Sequence, residues 1–254
     1  MIRIDQLLTQ KQLCKSRAQA QAFIKGNKVS ILLNGQWQIA NKASLKVVQD
    51  TEVKLTLDAS DRYVSRGALK LEGALKHSKL DISNFNVLDV GQSTGGFTDC
   101  ALQAGAKKVV GIEVGHDQLD SRLKENPNVI CIEGVNARNL SKQDLGVHLP
   151  DTGFDLIVMD VSFISQTKIL QNFPALLKQG GHLITLIKPQ FEVGKQAIGK
   201  GGIVKDLKAV SELEEKMTKL IQDLGFTLHC YIESTIKGGD GNQEYLVWAS
   251  LEAH

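Results

Sequence analysis

The sequence predicts an α/β protein in which a doubly wound, seven-stranded sheet follows a small α+β domain, and three observations lead to that reading. From Ser65 onward, short apolar runs alternate with helical stretches in a βαβ rhythm. The first of those runs feeds a glycine-rich turn, Asp89 to Phe97, that opens a helix. The first 58 residues differ in texture, with two helix patterns, a hairpin signal and an excess of basic residues. The expected organisation is a domain over residues 1–58, a connection over 59–64 and a larger domain over 65–254.

In the smaller domain, Ile4 to Gln10 is the first helix candidate. Ser16-Arg17-Ala18-Gln19 reads as a capping box opening a second helix, which Gly26 ends. Val29 to Leu33 leads as a strand into Asn34-Gly35, a pair that favours a two-residue hairpin turn, and Leu45 to Leu57 alternates weakly like further strands. The larger domain begins with a helix carrying Leu69, Leu71 and Leu75. Strands are predicted over Asn86 to Val90, Lys108 to Glu113, Asn128 to Ile132, Phe154 to Met159, His182 to Ile187, Thr227 to Ile232 and Tyr245 to Ala249. Seven strands in this rhythm suit a Rossmann-like sheet, whose ligands sit beyond the carboxyl ends of its strands.

Composition is ordinary for a globular chain, 42% apolar and 23% charged, and names no function. The distribution of charge is more informative. Residues 1–80 hold 14 Lys plus Arg against 6 Asp plus Glu, an excess of +8, whereas the whole chain carries only +2. The N-terminal part is therefore a candidate polyanion-binding face. Lys11, Lys15, Arg17, Lys25 and Lys28 fall on or beside its two helices, where they can form one phosphate-contacting surface or simply a solvated face. The four cysteines are dispersed and form no metal-binding pattern, so no structural metal is expected. With no signal-peptide pattern, this usage predicts a cytoplasmic protein, and no stretch approaches a membrane-spanning length.

The turn Asp89-Val90-Gly91-Gln92-Ser93-Thr94-Gly95-Gly96-Phe97 lets backbone approach a ligand closely. Glu113, 24 residues beyond Asp89 at the end of the second strand, suits hydrogen bonding to ribose hydroxyls. A dinucleotide fingerprint requires glycine where Ser93 stands, and the acidic Asp89 would repel a pyrophosphate. A carboxylate helps a ligand with a sulfonium and an ammonium, so the turn fits S-adenosylmethionine better. Asn136, just past the third strand, is a candidate for reading the adenine edge or a turn residue.

Asp160 and Lys188 end the fourth and fifth strands and are expected to face one crevice. Lys70 lies on the helix before the first strand, and Glu244 follows the turn Gly238-Gly239-Asp240-Gly241. Two lysines and two acids converging there would suit methyl transfer to a hydroxyl, which needs the oxygen aligned and its proton removed. Taken singly, each is more often a surface ion-pair partner.

Two resemblances sharpen this reading. Arg3, Asp5, Leu7 and Leu8, then Ser16, Arg17, Ala20, Ile24 and Gly26, then Asn34-Gly35, resemble the αL-type RNA-binding module of a ribosomal small-subunit protein, pseudouridine synthases and tyrosyl-tRNA synthetases. Over nearly the whole chain, Ser65 to Glu72, Leu88 to Asp99, Asp160 to Ser165, Lys188 to Gly194 and Gly241 to Tyr245 look like the TlyA haemolysin family, whose catalytic domain is similar to FtsJ-type RNA ribose methyltransferases. That resemblance implies 2′-O-methylation of cytidine in ribosomal RNA within ribosomal subunits, with S-adenosylmethionine as donor. It implies Lys70, Asp160, Lys188 and Glu244 as a catalytic tetrad. The cofactor contacts expected are Asp89, Gly91, Ser93, Thr94, Gly95, Gly96, Phe97, Glu113, Asn136 and Asp160; the RNA contacts are Arg3, Lys11, Lys15, Arg17, Lys25, Lys28 and Arg66. Ala68, Gln92, Glu113, His116 and Thr235 depart from the family's usual residues. The competing readings are a non-catalytic ribosome-binding or assembly factor, a membrane-active haemolysin and a nicotinamide oxidoreductase.

Overall fold

The computed structural model describes residues 1–252, and the chain divides into two compact units, Met1–Ala59 and Ser60–His254. The first unit contains β1 (Ile2–Arg3), α1 (Ile4–Gln10), α2 (Arg17–Lys25), β2 (Val29–Leu33), β3 (Gln36–Ile39), β4 (Lys46–Val47) and β5 (Val53–Leu55). Strands β3, β2 and β5 form an antiparallel sheet in that order, and β1 pairs with β4. Asn34 and Gly35 both take positive φ, +50° and +76°, which matches the twist of a two-residue hairpin and sets Leu33 opposite Gln36. The core of this unit is Ile4, Leu7, Leu8, Ile24, Val29 and Ile31, drawn from one face each of α1, α2 and β2.

Two local expectations change. Ser16 does cap α2, its hydroxyl accepting from Gln19 N at 3.2 Å, but the Gln19 side chain accepts from Lys15 N at 2.8 Å instead of closing the box. Gly26 has φ −79°, and the left-handed residue beyond the helix is Asn27 at +58°, a conformation that a short polar side chain tolerates.

The second unit begins with a short 3₁₀ turn, Ala59–Arg62, that runs across from the first, then α3 (Ala68–Ser78), β6 (Asn86–Val90), α4 (Gly96–Gln103), β7 (Lys108–Glu113), α5 (Ser121–Lys124), β8 (Val129–Glu133), α6 (Lys142–Leu145), β9 (Phe154–Met159), β10 (Leu177–Ile187), α7 (Leu207–Asp223), β11 (Phe226–Glu233) and β12 (Tyr245–Leu251). Seven strands make one sheet in the order β11-β12-β10-β9-β6-β7-β8. β6 to β10 run parallel, and β12 lies antiparallel between β10 and β11. The order reverses at β6, whose neighbours are β7 and β9, and this switch point opens a crevice at the strand ends. β10 starts five residues before the predicted His182, because Lys178 to Gly181 lack apolar alternation and cross a bulge against β9.

Alternate strand residues feed two cores. Leu156 and Val158 pack with Leu71, Ala74, Phe97 and Ala101 of α3 and α4; Ile157 and Met159 pack on the other face with Leu213, Met217 and Ile221, a stripe on α7. Between β9 and β10 the expected helix is replaced by 3₁₀ turns at Gln166–Lys168 and Leu170–Asn172. No helix among the described residues is long and apolar enough to cross a membrane.

Asp5 ties the first unit together. It is fully buried and accepts from Arg3 Nη2 (3.0 Å), Arg17 Nη2 (3.1 Å) and Gln21 Nε2 (3.0 Å), so α1 and α2 are joined through one carboxylate. Burial pushes its pKa up, but the hydrogen bonds from Arg3, Gln21 and Arg17 outweigh burial and hold it well below the usual range. A depressed carboxylate contributes stability that is complete above its unfolded pKa, and that contribution is withdrawn as pH falls below about 4. Asp5→Ala should therefore destabilise the first unit by about 2–3 kcal/mol at neutral pH and flatten its acid sensitivity, both read by urea denaturation of the full chain across pH.

Candidate active site

The turn leaving β6 is shaped by close approach. Gly91, at φ +80°, leaves room for the end of β9: a Cβ there would lie 2.9 Å from both the Asp160 carbonyl oxygen and Val161 Cγ1. Gly96, the first residue of α4, makes the same allowance for the start of α3, where a Cβ would press on Ser65 Oγ and lie 3.1 Å from Ala68 N. Farther along the same helix, Gly73 leaves space for the Thr235 side chain, whose hydroxyl donates to the Leu69 carbonyl at 3.3 Å. Thus α3 is held against the cofactor-type turn at one end and the segment after β11 at the other.

These elements enclose a cavity of about 660 Å³. Gly91, Ser93, Thr94, Gly96 and Phe97 line it from the turn, Glu113 from the end of β7, Asn136 from beyond β8, and Asp160 and Lys188 from the ends of β9 and β10. Glu113 is fixed by two backbone donors, Ser93 N at 2.8 Å and Gly115 N at 2.9 Å. The extra methylene relative to aspartate is used in that reach. Asn136 lines the cavity, and its Oδ1 caps a 3₁₀ turn by accepting from Arg138 N at 3.0 Å.

Two expected cavity residues lie elsewhere. Gly95, at φ +93°, instead makes room for Leu119 and Leu123, behind the turn. Asp89 is 1% exposed and does not line the cavity. Its Oδ2 accepts from Thr98 Oγ1 at 2.6 Å, Thr98 Oγ1 in turn accepts from Gln92 Nε2 at 2.9 Å, and Asp89 Oδ1 has no hydrogen-bond partner. The side chains inside the turn thus form a buried polar network beneath the cavity floor. Burial pushes the Asp89 carboxyl up to about 7, against the hydrogen bond from Thr98.

Lys70, Asp160, Lys188 and Glu244 do converge. Lys188 Nζ lies 2.5 Å from Asp160 Oδ1, Lys70 Nζ lies 3.5 Å from Asp160 Oδ2 and 2.5 Å from Glu244 Oε2. The result is a chain of alternating sign, Lys188–Asp160–Lys70–Glu244, supplied by four separate segments. Only Lys188 and Asp160 reach the cavity wall; Lys70 and Glu244, 7% and 2% exposed, stand behind them. Ser162, which the sequence reading passed over, accepts from Lys188 Nζ at 2.9 Å, and its signal was its place two residues beyond Asp160. Phe163 was also missed. It lines the cavity mouth at 92% exposure, with φ +65° and its ring 5.2 Å from that of Phe191. A bulky residue in the left-handed region is strained, and strain of this kind gathers at functional sites.

Of the expected RNA contacts, Lys11, Lys15, Lys25 and Arg66 are exposed. Arg3 and Arg17 are divided between solvent and the Asp5 carboxylate, with side chains 39% and 50% exposed, and Lys28 pairs with Asp58 at 3.0 Å.

The buried Asp89 makes a measurable difference to the folded chain. With its folded pKa raised, the native state holds the proton more tightly than the unfolded state, so stability falls as pH rises from about 4 to 7. Asp89→Asn keeps an acceptor for Thr98 and removes the titration. Its melting temperature should be less sensitive to pH over that interval and several degrees above wild type at pH 8, as read by calorimetry.

Residues 63–251 match the FtsJ-like methyltransferase family. The 16S/23S rRNA (cytidine-2′-O)-methyltransferase TlyA of Mycobacterium tuberculosis is 35% identical over 97% of this chain and 88% of its own length. The 23S rRNA (cytidine-2′-O)-methyltransferase TlyA of Campylobacter jejuni is 36% identical over 94% of this chain and 95% of its own. A solved structure from Streptococcus thermophilus that carries a hemolysin name superposes with TM-score 0.73 at 36% identity, covering 99% of this chain and 88% of that one. With the switch-point crevice, the glycine turn and the four converging charges in place, the chain belongs to the FtsJ-like methyltransferases and, within them, to the TlyA family.

Proposed function

We propose that this protein transfers a methyl group from S-adenosylmethionine to the 2′-hydroxyl of a cytidine in ribosomal RNA, acting on ribosomal subunits in the cytoplasm. The observation that carries the proposal is the union of a net-negative cavity with a largely buried, alternating charge chain that opens into it through Lys188 and the half-buried Asp160.

The cavity fits the donor. Its charged lining is two carboxylates, Glu113 and Asp160, and one ammonium, Lys188. That balance favours a ligand with net positive charge and disfavours a dinucleotide's two phosphates. Gly91, Ser93, Thr94, Gly96 and Phe97 would hold the donor along the turn, Glu113 at its ribose, Asn136 at its base and Asp160 beside its charged end. Asp89 and Gly95 act from behind by fixing the turn. When bound, S-adenosylmethionine supplies an electrophilic methyl group.

The protein's own groups handle the ribose hydroxyl. Lys188 Nζ, held by Ser162 and Asp160, is the cation nearest the cavity and orients the attacking oxygen. The hydroxyl proton leaves as the oxygen takes the methyl group, and the Lys188–Asp160 pair is the polar group placed at the cavity wall to receive it. Lys70, clamped between Asp160 and Glu244, keeps Asp160 in place and balances its charge. In the first unit, Lys11, Lys15 and Lys25, with the exposed parts of Arg3 and Arg17, meet RNA phosphates; Lys28 and Arg66 extend the set on their own units.

Wild-type protein incubated with labelled donor and bacterial ribosomal subunits should place label on a ribose 2′-oxygen. Lys188→Ala should lower transfer on the order of 10²-fold or more. Glu244→Gln, which keeps the shape and removes one charge, should lower kcat while leaving donor affinity, read by calorimetry, near wild type. Full transfer by Lys188→Ala would refute the assigned mechanism. Replacing Lys11, Lys15 and Lys25 together by Ala should weaken RNA binding and reduce the slope of log affinity against log salt by roughly 2–3.

A further inference from the structure

One buried polar side chain belongs neither to the cavity wall nor to the charge chain. Asn242, in the turn before β12, is 2% exposed. Its Oδ1 accepts from Val204 N at 2.9 Å, and its Nδ2 donates to the Gly202 carbonyl at 3.0 Å and to Asp240 Oδ2 at 2.9 Å. Gly202 and Val204 belong to segment 194–206, whose only regular features are two 3₁₀ turns and a single bridge between Ile198 and Val204. Gly194, Gly201 and Gly202 take φ between +75° and +79°, and Lys195, Lys200 and Lys205 are exposed. A glycine-rich segment with so little regular hydrogen bonding keeps one position only where side chains fix it.

The same turn carries Glu244, two residues on. Gly238 N donates to the Asn242 carbonyl at 3.0 Å, closing the turn, and a Cβ on Gly238 would lie 2.6 Å from Glu244 Oε1. The backbone that presents the Asn242 amide is thus the backbone that sets the Glu244 carboxylate against Lys70. If segment 194–206 swung away, a buried amide would lose two partners at once, which is costly unless the turn also shifts.

We infer that Asn242 is a positioning residue that couples the lysine-bearing segment 194–206 to the charge chain: with Gly202 and Val204 docked, Glu244 is held where it clamps Lys70, and with them released it is not. The inference rests on the methyltransferase reading for the consequence in catalysis, and on the hydrogen bonds alone for the docking.

The test uses the full chain. In the wild type, hydrogen exchange should find the Val204 amide protected, and trypsin should cut slowly at Lys195, Lys200 and Lys205. Asn242→Ala should raise cleavage there on the order of tenfold and lower kcat for methyl transfer on the order of tenfold, with S-adenosylmethionine affinity within about twofold of wild type. Asn242→Asp, which keeps an acceptor for Val204 N but sets a carboxylate against the Asp240 carboxylate and the Gly202 carbonyl, should release the segment at least as far as Asn242→Ala. If Asn242→Ala does not fold, Asn242→Asp and the wild-type exchange decide the matter. Unprotected Val204 in the wild type, or unchanged cleavage in the variants, overturns the docking; rapid cleavage with wild-type kcat overturns the coupling. A wild type that transfers no methyl group to RNA would instead sink the functional reading, while exchange and cleavage would still judge the docking.

Discussion

The structure depends on four charges of alternating sign, three of them buried and the fourth, Asp160, half-buried. Each of Lys188, Asp160, Lys70 and Glu244 would be costly to bury alone, and each is tolerated because its neighbours carry the opposite sign within 2.5–3.5 Å. The arrangement is neutral as a whole, so no single member can be removed without leaving an uncompensated charge in low dielectric. It also divides the labour. Lys188 and Asp160 face the cavity, and Lys70 and Glu244 hold Asp160 from behind.

The rest of the second unit can be read as the means of meeting that requirement. Lys70 comes from α3, Asp160 and Lys188 from the ends of adjacent parallel strands, and Glu244 from the entry to the antiparallel β12. Close packing of α3 at Gly96 and Gly73 sets the position of Lys70 from two sides. Gly91 lets the Asp160 backbone approach the turn, which brings the ligand cradle and the charge chain to the same crevice. A carboxylate beneath the turn, Asp89, is isolated from solvent and from the ligand space, while the carboxylate that does face that space, Glu113, is held by two backbone amides. The first unit repeats the principle on a smaller scale, with Asp5 gathering Arg3, Arg17 and Gln21 at the cost of part of their capacity for outside partners.

Much of this was legible in the sequence because it depends on local pattern. β6, β7 and β9 follow from apolar runs with abrupt ends, α1 from its own spacing, and the hairpin from Asn34-Gly35, since these are set by neighbouring residues and by the steric limits of the backbone. The glycine turn, Asp160 and Lys188 were visible for the same reason: in a doubly wound sheet, position in the strand fixes which end of the sheet a residue occupies, whereas Lys70, on α3, and Glu244, just ahead of β12, joined them as a catalytic set only through the family resemblance. The start of β10 was not, because a bulged stretch of Lys, Gln and Gly has no alternation to read.

What the sequence by itself determined is therefore the order of the elements, the type of sheet and the residue types available at its crevice. Only the tertiary structure decided which of them meet. It turned Asp89 away from the cavity and Gly95 toward Leu119 and Leu123, gave Asn136 a capping hydrogen bond, drew Arg3 and Arg17 onto Asp5, and set Asn242 in a place that no spacing foretells. The reason is physical: burial and partnership depend on distances between segments far apart in the chain, and those distances exist only after both faces of the sheet have been packed.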